Sequence, residues 1–180
     1  MLDYRIPRGM NAPVGSLVQI PFRTRKIFGI VNALSKTTNV PEKSLQEVQK
    51  VFGNEPLLST PSLHLAHDIA HRYTTPLPTV IATLCPPLQP RKLTTMALEP
   101  FAMVPKRGFE SRYLWYRDVK EKHRWFGEHW PKDDEQTLII VPEKWHLREW
   151  EEMVGTHVTL SSDLSPKEHF ERYFTIRNGE

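Results

Sequence analysis

The chain has 180 residues, of which 39% are hydrophobic and 25% charged, a composition typical of globular rather than disordered proteins. Its single cysteine excludes an internal disulfide and a cysteine-based zinc site. The sequence has no apolar run long enough to cross a membrane and no signal-peptide core, so we expect a cytoplasmic protein without a membrane partner. Residues 1–105 carry 11 Lys and Arg against 6 Asp and Glu, whereas residues 106–180 carry 13 against 15, so an anionic partner is expected for the N-terminal half.

The N-terminal third contains residues whose polarity alternates as it does in half-buried strands. Strands are predicted near residues 2–6, 16–22, 26–35 and 47–52. Gly15 marks a turn before the second strand, and Gly29 indicates a bulge inside the third. The pattern favours a small β-barrel-like unit, with Arg23, Arg25 and Lys26 in the hairpin between its second and third strands.

A helical part follows, in which apolar side chains recur every three or four positions. The two predicted helices span residues 61–73 and 77–84. Thr60 is predicted to cap the first of them, with Pro61 at its first position. Three prolines soon after the second helix then break the pattern. We therefore expect a first domain over residues 1–90 and a linker over residues 91–110.

The C-terminal part alternates helix-like and strand-like segments. Helices are predicted near residues 111–126, 144–154 and 166–176, and short buried strands at residues 137–142 and 157–162. Ser165 is predicted to cap the last helix. Because alternating strands and helices are typical of a parallel α/β sheet, we expect a partial α/β lobe over residues 111–180 and a mixed α/β fold for the whole chain.

Motifs in the first domain resemble those of the PriA family of replication-restart helicases, also called primosomal protein N′. They are DY-x-x-P from Asp3 to Pro7, G-x-x-V-x-x-PF from Gly15 to Phe22, and GIV from Gly29 to Val31. In that family the pattern opens the domain that holds the 3′ end of a DNA strand. The resemblance therefore implies a 3′ DNA-binding domain with forked or single-stranded 3′-ended DNA as its partner, and neither a cofactor nor a metal is predicted.

The resemblance also implies which residues contact DNA. They are Asp3, Tyr4, Arg5, Arg23, Arg25, Lys26, Lys43 and Gln46. Asp3 matches the carboxylate that binds the terminal nucleotide in the family, and the alternative is a surface carboxylate paired with Arg5 or with an arginine across the sheet. The hairpin cations are expected to bind phosphates, the alternative being a charged turn that protects a sheet edge. Three positions depart from the family pattern: Leu2 replaces an aromatic residue, Arg23 a glycine and Gln46 a lysine.

A second resemblance to the same family covers residues 137–180. VPE at residues 141–143, LS and LS within residues 160–165, and IR-x-GE at residues 176–180 match segments that follow the nucleotide-binding helix of the helicase. This implies a partial RecA-like lobe. None of the eight glycines is followed by a lysine, so the P-loop that would hold ATP is missing. We therefore predict a degenerate helicase lobe without ATPase activity.

Two further clusters each have two interpretations. His64, Asp68 and His71 share one helical face at the spacing of metal ligands, and a solvated polar face accounts for the same spacing. Aromatic and basic residues are interleaved over residues 112–130: Trp115, Tyr116, Trp125, Phe126 and Trp130 lie among Arg112, Arg117, Lys120, Lys122 and Arg124. They form either a surface on which unpaired bases stack or the core of the C-terminal lobe.

Together these features predict a DNA-binding protein that acts at stalled replication forks, alongside other replication-restart proteins, without unwinding DNA. Three alternatives stay open. The chain is the N-terminal piece of a larger, split or truncated ATP-dependent helicase, it is a protein-interaction module that has lost DNA binding, or it is the product of a decaying gene and does little.

Overall fold

The structure is a computed structural model that describes residues 2–88, 92, 111–130, 137–154 and 157–178. Its elements are β1 (Leu17–Phe22), β2 (Arg25–Ile30), β3 (Lys50–Phe52), α1 (Thr60–Arg72), α2 (Leu77–Leu84), α3 (Val119–His129), α4 (Lys144–Glu151) and α5 (Pro166–Asn178). They belong to two compact units, of which the first combines Met1–Phe101 with Val158–Glu180 and the second is Ala102–His157. The expected mixed α/β content is confirmed.

The three strands form one antiparallel sheet with the order β2-β1-β3. In the central strand, Leu17 pairs with Ile30 of β2 and with Phe52 of β3. The sheet is open, and the predicted barrel is not confirmed. The strand predicted at residues 2–6 is reduced to a single parallel bridge between Arg5 and Glu47.

A turn at Gly15 limits how far β1 and β2 can pair. Gly15 has a φ of +90°, and a Cβ atom there would lie 1.9 Å from the carbonyl oxygen of Leu58. Its N–H donates to the carbonyl of Val31 at 2.8 Å, and its own carbonyl accepts from the N–H of Leu57 at 3.0 Å. Because the chain leaves the sheet at this turn, β2 loses its partner and ends at Ile30 instead of residue 35.

Successive side chains of a strand point to opposite faces of the sheet, and in this sheet both faces carry apolar side chains. One buried cluster consists of Leu17, Phe52, Leu57 and Phe170. The other consists of Ala12, Val18, Ile20 and Val48. Tyr4, Ile6 and Met10 pack against the second cluster, so the N-terminal segment covers that face. The first face is covered instead by the residues that follow the sheet, including α5.

Helix α1 begins one residue earlier than its predicted cap implies. The side chain of Ser59, not of Thr60, accepts a hydrogen bond from the N–H of Ser62, at 3.2 Å. Ser59 is therefore the N-cap, and Pro61 lies within the first turn, where its missing N–H leaves no hydrogen bond unmade. The helix buries Leu63 and Ala66, which fall on one face at a spacing of three.

Helix α5 begins with a capping box, which confirms Ser165 as its cap. The Ser165 hydroxyl accepts from the N–H of Glu168 at 3.3 Å, and the Glu168 carboxylate accepts from the N–H of Ser165 at 2.9 Å. These hydrogen bonds hold the pKa of the Glu168 carboxyl below its usual value. One turn further on, Phe170 is 5% exposed and its ring centroid lies 4.6 Å from that of Phe174.

The contacts of α5 place it in the first unit, although the sequence analysis grouped it with the C-terminal lobe. Phe170 and Phe174 belong to the same cluster as Leu17 of the sheet, so the helix completes the core of the N-terminal part. Most of the predicted linker over residues 91–110 lies outside the described residues. The boundaries 1–90, 91–110 and 111–180 stay predictions.

The second unit contains α3 and α4. Helix α3 begins later than predicted because Asp118 caps it, accepting from the N–H of Glu121 at 2.8 Å. Lys122 and His123 of α3 both contact Oε1 of Glu149 on α4, each at 2.6 Å. Hydrogen bonds from Lys122 and His123 lower the pKa of the Glu149 carboxyl, so the two helices are joined by a carboxylate that stays ionised.

The two strands predicted in the C-terminal part are wrong. Residues 137–142 and 157–162 have no strand structure, and Leu138 is 79% exposed. An apolar run becomes a strand only where a neighbouring strand takes up its backbone hydrogen bonds, and the described part of this region supplies none. A RecA-like lobe is accordingly not confirmed. None of the helices in the described ranges is both long and apolar enough to cross a membrane.

Candidate nucleic-acid interface

Hydrogen bonds fix the N-terminal segment beside the sheet and bring several of the predicted DNA-binding residues together. The N–H of Arg5 donates to the carbonyl of Gln46 at 2.8 Å, and the N–H of Val48 donates to the carbonyl of Arg5 at 2.9 Å. The hydroxyl of Tyr4 donates to the carbonyl of Pro21, near the end of β1, at 2.7 Å. Tyr4 is therefore held in place by the sheet, and its phenolic hydrogen is already used.

Asp3 is exposed and is oriented by a residue that the sequence analysis missed. The hydroxyl of Thr38 donates to Asp3 Oδ2 at 2.5 Å, and the same hydroxyl oxygen accepts from the N–H of Val40 at 3.1 Å. Among the described residues, Asp3 Oδ1 has no hydrogen-bond partner. The carboxylate therefore keeps one oxygen available for a donor from outside the protein. Thr38 lies 35 positions from Asp3, and no local pattern links the two.

Arg5 pairs with glutamates rather than with Asp3. Its guanidinium lies 3.0 Å from a carboxylate oxygen of Glu42 and 3.9 Å from one of Glu47. The alternative in which Asp3 and Arg5 form a surface ion pair is therefore not what the structure contains. Because two carboxylates offset its charge, Arg5 holds segments together more than it attracts an anion.

The remaining predicted residues of this region lie close along the chain. Lys43 is exposed in a short 3-10 helix, Glu42–Ser44. Gln46 is exposed, and its backbone carbonyl holds Arg5. Lys50, at the start of β3, has its ammonium 4.9 Å from the ring centroid of Phe52. Lys43 and Lys50 thus supply positive charge on either side of Gln46, where the family pattern has a lysine.

The hairpin between β1 and β2 presents three cations to solvent. Phe22 pairs with Arg25, so Arg23 and Thr24 form the turn. Arg23, Arg25 and Lys26 are all exposed, and no carboxylate forms an ion pair with them within the ranges that the structure describes. Arg23 has a φ of 54°, a conformation that favours glycine, and its guanidinium lies 5.6 Å from the ring centroid of Phe22.

This arrangement combines two chemical capabilities. Unpaired cations at a hairpin tip attract phosphates, whatever the sequence of bases. A carboxylate with one unoccupied oxygen accepts a hydrogen bond from a hydroxyl group but repels a phosphate. Side chains of both kinds occur within the first 26 residues, on a segment and a strand that Tyr4 joins through Pro21.

The metal interpretation of α1 gains no support. No group of three metal-ligating residues occurs within the described ranges. His67, next to the predicted ligands, contacts Oδ1 of Asn32 through its Nε2 at 2.9 Å. His64, Asp68 and His71 are exposed, as expected for a solvated polar face.

The aromatic residues within 113–130, together with Trp150, divide into a packed group and an exposed pair, and Trp145 of α4 is a further exposed ring that stacks on His146. The packed group consists of Tyr116, Trp125, Phe126, Trp130 and Trp150. Its tightest contact joins Phe126 of α3 and Trp150 of α4, whose ring centroids are 4.8 Å apart. Tyr113 and Trp115 stand apart from this group and face solvent. The core interpretation therefore holds for the packed group alone.

A comparison with protein families supplies the decisive observation. Residues 1–86 match the family model of the PriA 3′ DNA-binding domain (3′BD). This part of the chain is a PriA-type 3′ DNA-binding domain. The match includes β1, β2, β3, α1 and α2, and it confirms DNA as a partner and a relation to the replication-restart machinery. Residues 137–180 lie outside the match, so their resemblance to the PriA helicase lobe stays a prediction.

Proposed function

We propose that this protein binds branched or 3′-ended DNA at stalled replication forks through its PriA-type domain and does not itself hydrolyse ATP or unwind DNA. The observation that carries the proposal is the family match over residues 1–86 in a sequence that has no Gly-Lys pair for a P-loop. On this proposal the protein marks strand ends, and other replication-restart proteins act on them in the cytoplasm.

Recognition of the strand end is assigned to Asp3. Its Oδ1 accepts a hydrogen bond from the terminal 3′-hydroxyl, while Thr38 holds Oδ2 and so fixes the plane of the carboxylate. A 3′-phosphate offers no hydroxyl at that position and repels the carboxylate. This predicts a preference for a free 3′-hydroxyl, which a purely electrostatic phosphate binder lacks.

Attachment to the DNA backbone is assigned to Arg23, Arg25 and Lys26. They are exposed and have no ion-pair partners within the described ranges, so their charge is available to phosphates. Each phosphate that is neutralised releases counterions, which makes the affinity fall with rising salt concentration. Lys43 and Lys50 add charge beside Gln46, where the family pattern has a lysine.

The proposal is tested by fluorescence anisotropy with labelled forked DNA that carries either a 3′-hydroxyl or a 3′-phosphate on the leading strand. We expect tighter binding to the hydroxyl end and a decrease of both affinities as salt is raised. Equal, salt-sensitive binding to the two ends would leave a generic phosphate binder. No binding even at low salt would favour the protein-interaction module.

A second candidate is favoured by the VPE, LS and IR-x-GE motifs within residues 137–180. In this candidate the chain is one piece of an ATP-dependent helicase, and a separate chain supplies the P-loop. DNA-stimulated ATP hydrolysis, measured with and without a cell extract that contains other restart proteins, distinguishes the two. ATP hydrolysis that requires both this chain and the extract supports the split helicase.

A further inference from the structure

Two aromatic side chains of the second unit are almost fully exposed within three residues of each other. Tyr113 is 95% exposed and Trp115 is 83% exposed, and Leu114 between them is 46% exposed. Single exposed aromatic residues are common. Burying a large ring releases much free energy, however, so two exposed rings only two positions apart are unusual on a surface that binds nothing. The pair therefore presents two ring faces that a ligand could contact.

The core of the second unit does not need these two rings. Tyr116, the next residue, packs against Trp125 and Phe126 with ring-centroid distances of 6.2 and 6.3 Å. That contact ties the segment to α3 immediately after the exposed pair.

The charge beside the pair suits an anionic ligand. Residues 111–130 contain five Lys and Arg against three Asp and Glu. Two of the five cations are paired, Arg117 with Glu121 and Lys122 with Glu149 of α4, and the side chain of Asp118 caps α3. Lys120 and Arg124 are exposed and four positions apart on α3, so they fall on one helical face.

We propose that Tyr113 and Trp115 form a second nucleic-acid site, on which unpaired bases stack while Lys120 and Arg124 neutralise the neighbouring phosphates. Aromatic rings interleaved with cations recognise single-stranded nucleic acid in this way, without preference for sequence. The inference rests on the proposed function, since it takes DNA as the ligand. It adds a second kind of contact, to unpaired bases rather than to a strand end or a duplex backbone.

The test separates base stacking from charge. A labelled duplex with a 5′ single-stranded tail is compared with the same duplex whose tail consists of abasic nucleotides, so that both carry equal charge. The full chain is expected to bind the normal tail at least about 5-fold more tightly, equivalent to ~1 kcal/mol for one stacked base. The double variant Y113A/W115A should lose this preference and bind the abasic tail as the unchanged chain does.

Matched variants make the outcome specific. Tyr73→Ala and Trp145→Ala remove exposed aromatics just after α1 and in α4, and both should keep the full preference for the normal tail. Y113F/W115F keeps an aromatic ring at both positions and should also keep the preference for the normal tail. A Y113A/W115A protein that still prefers the normal tail would overturn the inference, as would equal binding of both tails by the unchanged chain. Failure of the unchanged chain to bind either DNA would instead contradict the proposed function.

Discussion

Thr38 donates a hydrogen bond of 2.5 Å to Asp3, across 35 positions of the chain. The bond joins the loop after β2 to the N-terminal segment, at the carboxylate that matches the family's strand-end residue. One oxygen of Asp3 is thereby held, and the other has no partner among the described residues. If Asp3 binds the terminal hydroxyl as proposed, its orientation depends on Thr38, a side chain that no motif of the family resemblance includes.

Replacing Thr38 by alanine is expected to weaken discrimination between DNA ends without abolishing DNA binding. The lost hydrogen bond frees the carboxylate to rotate, so the ratio of affinities for 3′-hydroxyl and 3′-phosphate ends should fall by roughly 10-fold, given about 1.5 kcal/mol for a charged hydrogen bond. Thr38→Ser keeps the hydroxyl and should keep the ratio. Thr37→Ala, at the neighbouring exposed position, is the control. An unchanged ratio in Thr38→Ala would mean that Thr38 does not position Asp3.

Neutralising Arg25 and Lys26 of the hairpin is expected to reduce the salt dependence of binding. Each phosphate contact that is lost lowers the slope of log K against log salt by about 0.9 for duplex DNA, so R25Q/K26Q should lower it by roughly 2. Lys36→Gln removes an exposed cation from a loop outside the hairpin and should leave the slope as it is. Identical slopes for R25Q/K26Q and the unchanged chain would show that the hairpin contacts no phosphates.

Arg23→Gly is expected to leave the stability of the protein unchanged or to raise it slightly. Arg23 has a φ of 54°, which costs a residue with a Cβ atom about 1 kcal/mol and costs glycine almost nothing. Urea unfolding should therefore give Arg23→Gly a free energy of unfolding equal to or up to about 1 kcal/mol above that of the unchanged chain. Arg25→Gly, inside β2, should lower it by roughly 0.5–1 kcal/mol. If both glycines destabilise equally, the turn carries no strain.

Truncation of Phe170 is expected to destabilise the N-terminal part, although the residue lies near the other end of the chain. Its side chain is 5% exposed in the same cluster as Leu17, Phe52 and Leu57, so Phe170→Ala should lower the free energy of unfolding by about 3–5 kcal/mol. Tyr73→Ala, at the exposed aromatic that follows α1, should change the free energy of unfolding by less than about 0.5 kcal/mol. A loss of similar size in both variants would contradict the packing of α5.

Cys85 provides a pH-dependent prediction. Burial raises the pKa of its thiol from 9.0 to about 11, so the folded protein holds the proton more tightly than the unfolded chain does. The resulting stabilisation is complete below about pH 9 and is lost as pH rises towards 11. At pH 8 a thiol reagent should react slowly with the native protein and promptly in urea. Equally fast reaction in both conditions would show that the thiol is not buried.

The elements that the sequence predicts well are those set by local patterns. The alternation over residues 17–30 specifies β1 and β2, and the spacing of apolar residues specifies α1. The family motifs likewise fixed the nature of the domain, because Asp3 and the residues around Gly15 carry them.

What the sequence could not predict depends on contacts between distant segments. Nothing near Thr38 indicates that its hydroxyl meets Asp3, and nothing near Phe170 indicates that it joins the core of the first sheet. The apolar run at residues 137–142 has the composition of a strand, but a strand also needs a neighbouring strand for its backbone hydrogen bonds. Resemblance to a helicase strand at these residues did not supply that neighbour.

Strand-end recognition by Asp3 is tested by measuring the affinity of the full chain and of Asp3→Asn for forked DNA with a 3′-hydroxyl or a 3′-phosphate. We expect the unchanged chain to prefer the hydroxyl end, and Asp3→Asn to lose most of this preference because an amide no longer repels the phosphate. Both proteins should keep salt-sensitive binding through the hairpin. An unchanged chain that binds both ends equally, or an Asp3→Asn variant that discriminates as well as its parent, would contradict the assignment of strand-end recognition to Asp3.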